Sequence, residues 1–145
     1  MAELVFIGLG LFDEQDITLR GLNELRSSDK IYAEFYTSKL QNFDKKQFEQ
    51  QIGKKITVLS RQETEKGIIL LESAAENKIS FIVCGDPMMA TTHVDLRIRA
   101  IQKGIKTKII HNASIITAAP GLLGLQNYKF GRTTTIAYPQ GNIFQ

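Results

Sequence analysis

Three stretches of this sequence hold residue types that chemistry can use: Gly8 to Asp13, Cys84 to His93 and His111 to Ser114. The first reads Gly8-Leu9-Gly10-Leu11-Phe12-Asp13 and follows an apolar run. A dinucleotide site wants glycine at the place of Asp13, so that helix and strand pack closely beneath a pyrophosphate. Asp13 carries a charge that repels phosphate, and Glu34, near where a ribose-binding acid would stand, is a weak signal alone. Two readings stay open: glycines that merely turn the chain, or backbone that closely approaches a cofactor without phosphate. The second stretch reads Cys84-Gly85-Asp86-Pro87-Met88-Met89-Ala90-Thr91-Thr92-His93. Gly-Asp-Pro is an ordinary turn sequence, but a Met-Met pair is unusual in a plain turn, because thioethers pack against apolar partners. The functional reading of this loop is therefore favoured.

Other chemistries find no support. His93 and His111 are the only histidines, and neither has a second histidine or cysteine at metal-ligand spacing. Cys84, the single cysteine, reads as a small apolar core residue rather than a nucleophile. The acids Asp13, Glu14 and Asp16 read as helix-capping groups rather than a cation site. No Ser-His-Asp pattern or P-loop is present; Gly53-Lys54-Lys55 lacks the glycine spacing and the following Ser or Thr. A net charge of +3 and a pI near 9.0 raise a nucleic-acid reading. The lysines are scattered among acids, however, with no Arg-rich or aromatic-interleaved run, so a solvated surface and no direct nucleic-acid contact are expected. The apolar runs are too short to cross a bilayer, no signal peptide opens the chain, and one cysteine suits a reducing compartment. A cytoplasmic location is expected.

The elements that must position these loops follow from periodicity. Leu4 to Gly8 and Ile79 to Cys84 are continuous apolar runs, the pattern of strands buried on both faces. Ile31 to Tyr36, Ile56 to Leu59 and Lys108 to Ile110 read as further strands. Asp16 is expected to cap a helix with an apolar stripe of Leu19, Leu22 and Leu25. Asp44 to Ile52 reads as a short helix ended by Gly53. Ser60 and Glu63 have capping-box spacing for a helix running to about Asn77. Thr92 and Asp95 repeat that spacing for a helix carrying Val94, Ile98 and Ile101 on one face, closed by Gly104. Ser114 is expected to cap a short helix, and Thr133 to Ala137 to begin another strand. Alternating strands and helices predict an α/β fold with a parallel sheet of about five strands and helices on both faces. Ligands in such sheets bind outside the carboxyl ends of the strands, where the three loops collect.

The same loops carry a family resemblance. Phe6 to Thr18 resembles the opening of diphthine synthases, as does Ala33-Glu34-Phe35-Tyr36-Thr37-Ser38. Gly85 to His93 is the strongest match, followed by Leu96-Arg97-Ile98-Arg99-Ala100, His111-Asn112-Ala113-Ser114-Ile115 and Tyr128-Lys129-Phe130-Gly131. Diphthine synthases belong to the tetrapyrrole-methylase-like methyltransferases. The resemblance implies the amino-terminal domain of a two-domain dimer, with S-adenosylmethionine bound in the cleft between domains and S-adenosylhomocysteine as product. The implied substrate is a modified histidine of translation elongation factor 2, methylated in diphthamide biosynthesis. Carried over by motif, Leu11, Asp86, Met89, Ser114 and Ile115 contact the cofactor. No catalytic residue is assigned. Asp86 offers acceptors to the cofactor or to loop amides, while Met89 and Ile115 offer apolar packing.

Two departures from the family pattern stand out. Pro120 replaces a non-proline apolar residue and predicts a short or kinked helix after Ser114. The chain also ends about where the family's linker leads into a second domain, so residues 1–132 read as the cofactor-binding domain and 133–145 as that linker. Two other readings are a sister tetrapyrrole methyltransferase and a non-catalytic half-enzyme that pairs with a separate carboxy-terminal subunit. The Ala33 to Ser38 and Thr91-Thr92-His93 matches weigh against the former.

Overall fold

The apolar runs do form strands: β1 (Glu3–Gly8), β2 (Lys30–Glu34), β3 (Ile56–Val58), β4 (Lys78–Val83) and β5 (Lys106–Ile110). In the computed structural model, which describes residues 2–134, they lie in the order β3-β2-β4-β1-β5. Every neighbouring pair is parallel. The central strands β1 and β4 are paired in register, Phe6 beside Phe81 and Gly8 beside Val83.

Because side chains alternate along a strand, each central strand feeds two cores. Leu4, Phe6, Ile79, Phe81 and Val83 pack with Leu70, Leu71 and Ala74 of α4 (Ile68–Glu76) and with Leu96 and Ala100 of α5 (His93–Gln102). Phe6 and Phe81 meet edge to face, with centroids 6.1 Å apart. Val5, Ile7, Ile82 and Cys84 pack with Leu25 of α1 (Leu19–Ser27) and with Phe48 and Ile52 of α2 (Lys45–Ile52). Each large side chain fully buried in this way contributes about 1.5–3 kcal/mol. The chain moves from β1 through β2 to β3 over α1 and α2, then returns through β4 to β5 over α3 (Arg61–Lys66), α4 and α5. With right-handed crossovers, that reversal puts the two helix sets on opposite faces. The expected five-stranded α/β sheet is thus observed.

Several local expectations differ. Asp16 does not cap α1; it ends a short 3-10 turn (Glu14–Asp16), and Thr18 caps α1 by accepting the Gly21 amide. Leu19 is consequently 81% exposed, whereas Leu25 is buried. Strand β2 stops at Glu34 because the Glu34 carboxylate accepts the amides of Tyr36 and Thr37, turning the chain. The Ser60–Glu63 capping box forms, but the helix it opens ends at Lys66. Gly67 breaks it at φ +66°, where an added Cβ would stand 2.7 Å from Leu96 Cδ1. The Arg99 guanidinium donates to the Glu65 and Lys66 carbonyls, satisfying the end of α3 from outside. The Thr92–Asp95 box does not form: the Thr92 side chain makes no capping bond, and Asp95 pairs with Arg99 at 2.9 Å. Val94, Ile98 and Ile101 do share one face of α5, but that face is exposed, and His93, Leu96 and Ala100 turn inward. That inward face packs Leu96 and Ala100 into the core beside β1 and β4.

Residues up to Ile115 form one compact unit, and a second begins at Ile116. Helix α6 (Ile115–Leu122) contains Pro120 and is short, as the proline requires. The expected linker 133–145 and strand start Thr133 to Ala137 fall outside the described residues except for Thr133 and Thr134, which belong to no strand. Among the described residues, no helix is long and apolar enough to cross a membrane.

Candidate functional site

From β1 and β4, neighbours at the sheet centre, the chain departs in opposite directions, the arrangement that opens a crevice at the carboxyl edge. The loops leaving them pair with each other before diverging. Leu9 N donates to Val83 O at 2.9 Å, and Gly85 N donates to Gly10 O at 2.7 Å. Gly8 makes this approach possible, since a Cβ there would lie 2.3 Å from Gly85 O and 2.8 Å from Asn112 Cβ. The glycines of the first loop therefore bring protein backbones together.

The amides that follow are already occupied. Asp16 Oδ2 accepts from Leu11 N at 3.0 Å and from Phe12 N at 2.9 Å. A carboxylate of the chain sits where a phosphate cradle would need bare donors, and Asp13 adds a second acid by accepting the Gln15 amide. The donor set thus disfavours a phosphate and suits a cofactor without one.

Asp86 ties the second loop to the third. It is 9% exposed. Its Oδ1 accepts the Met88 amide at 2.9 Å, and its Oδ2 accepts His111 Nδ1 at 2.7 Å and the Asn112 amide at 3.2 Å. Asn112 continues the link, with Nδ2 donating to Gly8 O and Asp16 O, each at 3.0 Å. Its Oδ1 accepts the Ala113 amide at 2.7 Å. All three loops are joined by two side chains.

Of the residues singled out in the sequence, Asp86 and Ser114 are buried, Leu11 is half-buried, and Met89 and Ile115 are exposed. Phe12 is exposed beside Leu11, so the rim of the crevice offers apolar surface while its polar groups face inward. Sequence reasoning missed Asn112, weighed His111 only as a metal ligand and rejected it, and gave Asp16 to a helix. An amide residue two positions past the end of β5, at the ligand edge, was the available signal for Asn112. Among the described residues, no group of three His, Cys, Asp or Glu could hold a metal ion.

A second polar cluster lies deeper. Glu34 and His93 are each 1% exposed. His93 Nδ1 lies 3.0 Å from Pro87 O, and His93 Nε2 lies 3.7 Å from Glu34 Oε1. The His93 ring meets Phe81 edge to face at 5.1 Å. Burial pushes the His93 pKa down, opposed by the Pro87 carbonyl and the Glu34 charge. Burial, aided by the same charge, pushes the Cys84 thiol up to about 11 and raises the Tyr36 phenol. Cys84, the residue after β4, is thus a protonated core thiol.

The resemblance read from the loops extends over the chain. A family model described as Tetrapyrrole (Corrin/Porphyrin) Methylases matches residues 3–143. A diphthine synthase of Methanosarcina mazei is 51% identical over 136 residues, covering 94% of this chain and 51% of that protein. One of Methanocaldococcus jannaschii is 51% identical over 142 residues, covering 97% of this chain and 55% of that protein. A crystal structure of diphthine synthase superposes with a TM-score of 0.84 at 45% identity, covering 89% of this chain and 51% of the other. The chain spans about half the length of the curated relatives it matches.

Proposed function

Because the chain belongs to the tetrapyrrole (corrin/porphyrin) methylase family, we propose that it supplies the cofactor-binding half of an S-adenosylmethionine-dependent methyltransferase of the diphthine synthase type. The observation that carries this reading is the knitted carboxyl edge, in which Asp16 fills the amides a phosphate would need and apolar Phe12, Met89 and Ile115 stay open. When bound, S-adenosylmethionine supplies a methyl group on a sulfonium, a good leaving group for displacement by a substrate amine. The residues of this chain hold and orient. Leu11 presents backbone from the first loop, and Asp86 fixes the second loop on His111 and Asn112. Met89 and Ile115 exclude water, and Ser114 completes the third loop. Rate enhancement then rests on alignment and desolvation rather than on a general base.

The wider assignment follows the relatives named diphthine synthase. The substrate in this reading is the modified histidine of translation elongation factor 2, and the enzyme is a cytoplasmic homodimer. Residues 1–132 form the cofactor-binding domain, and 133–145 lead to a second domain that closes the cleft. A cleft ligand has most of its surface buried by its protein, so one wall should bind weakly. Titration calorimetry with S-adenosylmethionine tests this. The 145-residue chain is expected to bind weakly, and adding the carboxy-terminal half of a related diphthine synthase in trans is expected to tighten binding at least tenfold, about 1.4 kcal/mol. Methyl transfer to elongation factor 2 is expected only in the mixture. Absence of binding in the mixture would sink the cofactor assignment, and turnover by the chain alone would sink the half-enzyme reading.

A further inference from the structure

The deeper cluster has a bonding deficit that the loop network does not share. His93 Nδ1 lies 3.0 Å from the Pro87 carbonyl. A carbonyl only accepts, so Nδ1 carries hydrogen and Nε2 of a neutral ring is bare. Glu34 directs Oε2 to the amides of Tyr36 and Thr37, and its Oε1 faces His93 Nε2 across 3.7 Å. Both atoms are buried and have no hydrogen-bond partner. Two bare acceptors facing each other out of water repel, and an unmet buried polar atom costs about 1–3 kcal/mol. A single hydrogen between them satisfies both.

We infer that Glu34 and His93 share one buried proton, and that this link makes them positioning residues for the Gly85 to Thr92 loop. The two ends of the link show how. Glu34 holds the chain leaving β2 through Tyr36 and Thr37, and His93 holds Pro87, the residue after the Asp86 clamp. Thr91 Oγ1 donates to the same Pro87 carbonyl at 2.8 Å, so both ends of the loop converge on one oxygen. Without the proton, the imidazole and carboxylate separate and Pro87 is left with Thr91 as its one fixed partner. The other ionisable groups around the pair are neutral or already paired. Tyr36 faces Glu34 from its own loop and Cys84 faces it from β4, both raised in pKa and hence protonated at neutral pH. On its other side, His93 borders a shallow recess of about 270 Å³ lined by Glu65, Asp95 and Arg99. Asp95 is paired with Arg99 there, and Glu65 with Arg61. The proton link stands by itself; its bearing on the cofactor rests on the reading proposed above.

Nuclear magnetic resonance of the 145-residue chain decides the matter, because it holds only two histidines and, beyond Met1, only Met88 and Met89. With ¹⁵N-histidine and ¹³C-methyl-methionine labels, spectra are recorded from about pH 5 to about pH 9, the range in which histidine titrates. At the acid end, the His93 Nε2 signal is expected to be displaced from the position of a bare nitrogen. Glu34→Gln is expected to lower the midpoint of Nε2 protonation by at least about one pH unit, because the facing charge is gone. Its amide hydrogen replaces the shared proton, so the Met88 and Met89 methyl signals should stay near their wild-type acid positions. Glu34→Ala, which has no replacement, should displace them. Nε2 bare throughout in the wild-type chain would overturn the shared proton, and that spectrum is informative even if a variant does not fold. Methyl signals indifferent to Glu34→Ala would overturn the positioning role. Neither result depends on whether S-adenosylmethionine binds.

Discussion

Asp86 accepts hydrogen bonds from Met88, His111 and Asn112 while almost fully buried. An aspartate at the end of a β-strand, before proline, reads in sequence as a turn former or a ligand contact. Here it is the clamp between two loops, which gives it a structural role beside the cofactor contact proposed for it. Asp86→Ala leaves the Met88 and Asn112 amides and the His111 ring without their acceptor. It is expected to lower stability by about 2 kcal/mol, since unmet buried donors cost about 1–3 kcal/mol each and some will find water. S-adenosylmethionine binding in the reconstituted enzyme should fall at least about tenfold as well. Thermal melts and calorimetry on the same samples check both; weakened binding with an unchanged melting temperature would mean that Asp86 touches the cofactor directly. Leu11, Met89 and Ile115 came from the family motifs, and the structure leaves Leu11 half-buried and the other two exposed. Asn112 and the Glu34–His93 pair were not legible, since their roles depend on partners 104, 96 and about 60 positions away in the chain.

At the scale of elements, α2 and β3 are joined through one carboxylate. Glu49 Oε1 accepts the Ile56 amide at 2.7 Å, and the Lys45 and Lys55 ammonium groups lie 3.0 and 3.1 Å from its two oxygens. The Ile56 amide, aided by both lysines, holds its pKa down at about 2, against an ordinary value of 4.5. A carboxylate whose pKa is lower in the folded chain stabilises above its unfolded value, and that contribution is lost as pH falls. Glu49→Gln is therefore expected to lower the melting temperature at neutral pH. The gap to the wild-type chain should shrink between about pH 4.5 and about pH 2; a gap independent of pH would remove Glu49 from this role. The elements also show what a sequence conveys. Strands β1 and β4 were legible because burial on both faces forces an uninterrupted apolar run. The Ser60–Glu63 box was legible because both its bonds are local. Helix α3 was not separable from α4 by pattern, because the Gly67 break is completed by Arg99, 33 residues beyond Lys66. The inward face of α5 was not legible for a related reason: Val94, Ile98 and Ile101 form the more apolar stripe, but it is Leu96 and Ala100 that meet the core residues of β1 and β4.

For the whole molecule, the order β3-β2-β4-β1-β5 places the first strand between the last two. Strand β1 pairs Glu3 with Lys78 and with Lys106, so its hydrogen bonds close long loops. Strands β2 and β3, joined by α2, pair Ile31 with Ile56, a shorter closure. Long-range parallel pairing forms slowly because loop entropy is lost before contacts form. In refolding followed by pulsed hydrogen exchange, the β1 amides are expected to gain protection together with those of β4. Protection of β1 ahead of β4 would contradict that order. The same topology bears on synthesis. A ribosome delivers β1 first, and the strand stays an apolar segment without partners until β4 and then β5 have left the exit tunnel. Over that interval Leu4 to Ile7 is a ready ligand for a holdase chaperone, and pauses in translation before Lys78 would lengthen the exposure.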